Sequence, residues 1–159
     1  MLEVKNVSVT YGKNIALKPV AFAAKSGEIL GLIGADGSGK SSLLNAIAGV
    51  QSFDGEISLY DYKYGSPQAA EAAKRDIALM PQGIGLILYK TLTIQEHIDF
   101  FCAIKEIRRD KTFDEYLARL LGMAGLERFL DRKAGALSGG MMQKLCLVCT
   151  LLGKPKLLL

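Results

Sequence analysis

The residues with the clearest chemistry are Gly34-Ala35-Asp36-Gly37-Ser38-Gly39-Lys40-Ser41. A glycine, four residues and then Gly-Lys-Ser is the pattern of a phosphate-binding loop. Glycines let the backbone turn tightly with its N–H groups facing inward, which makes an anion nest at a helix N-terminus where the dipole also favours phosphate. Lys40 has the reach for β- and γ-phosphates, and the Ser41 hydroxyl can complete a Mg²⁺ shell. The expected ligand is a nucleoside triphosphate. Guanine specificity is not expected, because no Asn-Lys-x-Asp occurs and the only Asp-x-x-Gly, Asp36 to Gly39, lies inside the loop itself.

Such a loop must be held between a strand and a helix. Glu28-Ile29-Leu30-Gly31-Leu32-Ile33-Gly34 reads as a continuous apolar strand of the kind buried on both faces in parallel sheets. Beyond the loop, Leu43, Leu44, Ile47 and Ala48 recur at helical spacing, and Gly49 supplies a stop. Upstream, Leu2, Val4, Val7 and Val9 alternate with polar residues, with one slip of phase at Lys5-Asn6 that predicts a bulged strand. Asp54-Gly55 reads as a turn before a strand pair or edge strand, Glu56 to Tyr64, whose alternate tyrosines fit sheet packing. Ile77 to Met80 reads as a short buried strand ended by Pro81. Thereafter the pattern is mainly helical: Thr93 to Ile107 with Thr93 and Glu96 in capping-box spacing, Phe113 to Leu121, Leu126 to Leu130, and Met141 to Leu152 opened by Ser138-Gly139-Gly140.

Composition bounds the rest. The chain has 159 residues, 50% of them hydrophobic and 23% charged, enough for one ordinary domain with a core and far from the disordered corner. Its net charge of +4 is spread along the sequence, so no nucleic-acid partner is expected. Cys102, Cys146 and Cys149 form no disulfide framework and point to reduced thiols; the Cys146/Cys149 spacing puts both on one apolar helix face. The longest clean apolar run, Leu145 to Leu152, falls well short of the roughly 20 residues that cross a bilayer. His97, the one histidine, reads as a surface or partly buried helix residue, and Lys105, Arg108, Arg109 and Lys111 as a solvated helix end, with a docking surface as the alternative. The sequence stops within an apolar run, Leu157-Leu158-Leu159.

A second motif, Leu137-Ser138-Gly139-Gly140-Met141-Met142-Gln143-Lys144, gives the loop its context. Here the sequence resembles the ATP-binding-cassette (ABC) ATPases, whose signature is Leu-Ser-Gly-Gly-Gln. Physically this is another anion site, with Ser138 as an N-cap and two glycines exposing N–H groups at a helix start. The resemblance covers the whole chain, with motifs in the family's order. Tyr11 matches the aromatic that stacks on adenine, Gly34 to Ser42 the P-loop, Gln82 the glutamine that ligates Mg²⁺ and senses the γ-phosphate, and Ser138 to Gly140 the signature. It implies an α/β fold: a P-loop NTPase (RecA-like) core with an antiparallel β-subdomain (1–91), an inserted α-helical subdomain (92–137), and the signature helix with the start of a further strand (138–159), one domain incomplete at its C-terminus.

The resemblance also implies a mechanism. ATP and Mg²⁺ are sandwiched in a head-to-tail dimer between the P-loop of one subunit and the signature of a second ABC ATPase subunit, with transmembrane permease partners docked on the helical part. The location is then cytoplasmic, on the inner face of a membrane. The Gly-Ala-Asp-Gly loop, Met141 in place of the signature glutamine, and Met80-Pro81-Gln82-Gly83-Ile84-Gly85 look like exporter-type subunits related to drug-efflux and ribosome-associated members. Three family groups are missing beyond Leu159: an Asp holding Mg²⁺ through water, a Glu polarising the attacking water, and a switch histidine. The chain as written is therefore expected to bind nucleotide without hydrolysing it, hydrolysis belonging to the parent. A soluble ABC ATPase acting on ribosomes or nucleic acid is the alternative.

Overall fold

Alternation in the first strand sets the first half of the fold. In β1 (Leu2–Tyr11) the side chains of Leu2, Val4, Val7 and Val9 are all buried. The expected slip of phase is a real bulge: Asn6 has φ 52°, and the pairing register shifts between Val4 and Val7. β1 pairs antiparallel with β2 (Asn14–Ala24) on one side and β3 (Asp54–Leu59) on the other, and β3 with β4 (Tyr62–Tyr64), giving the order β2-β1-β3-β4. Asp54-Gly55 lies inside β3, and the turn falls at Tyr60-Asp61. Against this sheet packs α1 (Lys40–Ile47) through Leu43, Ala46 and Ile47. Tyr64 anchors the helix end by donating its hydroxyl to the Ile47 carbonyl at 2.6 Å, and burial pushes its phenol up to about 12.

The computed structural model describes residues 1–83 and 87–159, which fall into two compact units, Met1–Leu79 with Leu159, and Met80–Leu158. The stretch Met80 to Gly85 singled out by sequence therefore ends outside the described residues, at Ile84 and Gly85. In the first unit the strand expected over Glu28 to Gly34 does not form, and Ile29 and Ile33 are each 99% exposed. The physical reason is pairing. A run buried on both faces needs strands beside it, and no described residue forms a ladder with this one. The strand after Asp76 is cut to β5 (Ile77–Ala78), whose Ala78 carbonyl accepts from Leu159 N–H at 2.8 Å.

The second unit is helical. α2 (Ile94–Ile104), α3 (Lys111–Ala124) and α4 (Gly139–Leu151) surround Ile94, Ile98, Cys102, Phe113, Leu145, Cys146 and Cys149; β6 is Leu157–Leu158. The Leu126–Leu130 helix shrinks to a 3₁₀ turn, Glu127–Phe129. Burial pushes the Cys149 thiol up to about 12, as suits an inert core residue. Two sequence readings change here. His97 is completely buried, its Nε2 accepting from Tyr89 N–H at 2.9 Å and its Nδ1 lying 2.7 Å from the Thr93 carbonyl. A carbonyl only accepts, so Nδ1 carries the proton. Nor is the basic cluster merely solvated: Lys105 donates to the Thr150 carbonyl at 3.2 Å, and Arg109 pairs with Asp99. Among the described residues no helix is long and apolar enough to cross a membrane.

Candidate functional site

The loop from Gly34 to Lys40 is shaped by contacts that only glycine allows. Gly39 has φ +90°, and a Cβ there would lie 2.4 Å from the Ala16 carbonyl oxygen, so the backbone of the loop is pressed directly onto β2. Ser38 N–H donates to the Ala35 carbonyl at 3.2 Å, closing a turn whose third residue, Gly37, has φ +77°. Lys40 Nζ donates to the Gly34 and Ala35 carbonyls at 2.7 and 2.8 Å and lies 3.5 Å from Ser38 Oγ. The ammonium thus sits over the loop it would share with a ligand.

At the start of α1 the donors are left open. Gly39 is the N-cap, with no side chain to accept from the first turn, and that turn holds no acidic residue. Unsatisfied N–H groups at a helix start, beside a lysine, form an anion site. The Ser41 hydroxyl is exposed and has no partner among the described residues. Tyr11, at the end of β1, is about half exposed and its hydroxyl lies 3.4 Å from Ser42 Oγ, which places an aromatic ring beside the loop–helix junction. Next to the loop is a cleft of about 330 Å³ lined by Ile15, Ala16, Leu17, Lys18 and Val20 of β2 with Gly37 and Ser38. Sequence reading missed the β2 residues. The register shifts of β2 against β1 scramble the alternation that would have shown which of them face the loop.

Gln82 and Ser138 to Gly140 belong to the second unit. Gln82 is exposed on a bend after Pro81. Ser138 is the N-cap of α4, its hydroxyl accepting from Met141 N–H at 3.2 Å, and space around Gly139 and Gly140 is open enough that an added Cβ would meet nothing within 4 Å. This second helix start thus has one donor satisfied by its own serine and two glycines exposed.

The sequence of residues 17–159 matches the protein family described as ABC transporter. The chain belongs to the ABC transporter ATP-binding family. It is 37% identical over 154 residues to the probable multidrug ABC transporter ATP-binding protein YbhF of Escherichia coli (strain K12), covering 91% of this chain and 24% of that protein. It is 33% identical over 159 residues to the sulfate/thiosulfate import ATP-binding protein CysA of Nocardia farcinica, covering 100% of this chain and 46% of that one. The chain thus spans less than half the length of either relative. Among solved structures it resembles the dimeric post-hydrolysis state of the cassette MJ0796 bound to ADP and Pi, with TM-score 0.78 and 30% identity over 99% of this chain and 72% of that one. The fold of this ABC cassette sequence is accordingly that of the P-loop NTPases, mixed α/β with an antiparallel sheet and, among the described residues, four α-helices.

Proposed function

We propose that this chain is the nucleotide-binding part of an ABC transporter ATPase, holding ATP with Mg²⁺ at Gly34–Ser42, and that the parent protein hydrolyses the nucleotide to drive export. The observation that carries the reading is the helix start left uncapped at Gly39 beside Lys40, with Tyr11 3.4 Å from Ser42. Lys40 is assigned to the β- and γ-phosphates, the loop N–H groups of Ala35 to Ser42 to the phosphate oxygens, and Tyr11 to the adenine face. Lys40 must let go of the Gly34 and Ala35 carbonyls to do this, exchanging two backbone acceptors for phosphate.

Magnesium fits the residues present. Among the described residues no group of three His, Cys, Asp or Glu could hold a metal, whereas the free Ser41 hydroxyl is the hard oxygen ligand that Mg²⁺ takes alongside phosphate oxygens and water. Ser41 and Gln82 are the assigned ligands, and the ion when bound neutralises phosphate charge. Ser138, Gly139 and Gly140 are assigned to the nucleotide of a second cassette in a head-to-tail dimer, a reading supported by the dimeric relative MJ0796. The division into 1–91, 92–137 and 138–159 is kept as the functional one, with the helical part docking on permease subunits at the cytoplasmic face of a membrane. Export is favoured by similarity to a protein named for multidrug transport, while another relative is named for sulfate/thiosulfate import. Hydrolysis is assigned to the parent protein.

The test is binding. Lys40→Ala is expected to weaken ATP binding roughly thirtyfold, the loss of one charge-assisted contact, with the melting curve almost unchanged. Equal affinity in wild type and variant, read by calorimetric titration, would sink the reading.

A further inference from the structure

We propose that Asp36 makes this site discriminate between metal-loaded and metal-free nucleotide, an inference that rests on the ATP reading above. Asp36 occupies the apex of the phosphate loop, in the turn closed from Ser38 N–H to the Ala35 carbonyl and next to Gly37 at φ +77°. Its carboxylate is exposed and has no hydrogen bond or ion pair among the described residues. The cation of the loop is not paired with it: Lys40 Nζ donates to the Gly34 and Ala35 carbonyls at 2.7 and 2.8 Å and forms no ion pair with Asp36. A loop whose donors gather negative charge therefore carries a fixed negative charge on its own rim.

Repulsion between that carboxylate and a triphosphate grows in proportion to the ligand's charge. A bound divalent cation cancels part of the triphosphate charge, so Asp36 penalises the bare nucleotide more than the loaded one. At an exposed rim the effective dielectric is high and salt screens the interaction, which sets the scale at several-fold and not at orders of magnitude. The turn itself does not need the charge: asparagine suits the same position as well as aspartate. Asp36→Asn thus removes the charge and keeps the turn.

The experiment titrates the purified chain with a fluorescent ATP analogue at low ionic strength, once in excess EDTA and once in excess Mg²⁺. Asp36→Asn is expected to tighten metal-free binding about fivefold and metal-loaded binding about twofold, the gap closing at about 0.5 M salt. Asp36→Glu should keep the wild-type preference, and both variants should melt with the wild type. Equal tightening in the two conditions, or none, overturns the proposal. So does a loss of metal-loaded binding, which would make Asp36 a metal ligand instead. A wild-type chain that binds nucleotide in neither condition overturns the ATP reading itself, so the two failures are told apart.

Discussion

The chain runs into α1 and α2 in opposite ways. Ahead of α1, residues 28–39 run without ladder partners, Ile29 and Ile33 stand in solvent, and Gly39 gives the first turn no acceptor. Ahead of α2, Leu88 is buried, Thr93 and Glu96 exchange hydrogen bonds in a full capping box, and His97 ties down both Tyr89 N–H and the Thr93 carbonyl. The start of α2 is closed, with the Ile94 and Gln95 N–H groups donating to the Arg132 and Leu130 carbonyls at 3.1 and 3.0 Å. The start of α1 is open, which is a cost in isolation and a requirement for any helix start that receives an anion, since a side-chain cap would occupy the same donors.

The largest expected effect lies at the closed start of α2. His97→Ala takes away the acceptor of the Tyr89 N–H, leaves the Thr93 carbonyl only the backbone N–H of residue 97, and opens a cavity under the Tyr89 ring, which stacks on the imidazole at 27°. The expected loss is about 3 kcal/mol in urea unfolding. A loss below about 1 kcal/mol would mean that the Tyr89 N–H finds another acceptor, and the contrast between the two helix starts would weaken.

The same contrast decides what is legible in the amino-acid sequence. Thr93 and Glu96 are legible because a capping box is local: both partners lie within one turn. The phosphate loop is legible because glycine spacing is a backbone requirement, met here by the approach of Gly39 to Ala16. His97 reads from sequence as surface or partly buried, and the reading fails because its partner, the Tyr89 N–H, lies in a connection whose path no periodicity encodes. The strand over Glu28–Gly34 fails for the converse reason. Its apolar run is a sound residue pattern, but a strand exists only through its neighbours, and those are non-local. The β2 face of the cleft is hidden by its bulges.

A smaller effect sharpens the comparison within the capping box. Thr93→Ala removes the oxygen that accepts from Glu96 N–H at 3.1 Å and should cost about 1 kcal/mol. Glu96 adds a pH signature. Its hydrogen bonds from the Thr93 backbone N–H and with the Thr93 side chain hold its carboxyl below the usual carboxylate range. A group depressed on folding contributes stability above its unfolded pKa and loses it as pH falls through the folded one. Wild type should therefore exceed Glu96→Gln in stability near neutrality, and the difference should shrink as pH drops from about 6 to about 3. A difference that stays constant across that range would remove the ionised carboxylate from the cap.

The smallest effect on stability is expected ahead of α1, where it is the more telling for being small. Ile29 and Ile33 are each 99% exposed, so exchanging both for threonine removes no packing and should change the unfolding free energy by no more than about 0.5 kcal/mol. What should change is association. An unpaired run with apolar side chains in solvent is a template for self-pairing, and the double variant Ile29→Thr/Ile33→Thr should stay monodisperse to higher concentration in light scattering. If instead the variant lost more than about 1 kcal/mol, the two isoleucines would have to be packed in the folded chain. Glu28–Gly34 would then be a paired strand, and the loop it feeds would be held as firmly as the segment that leads into α2.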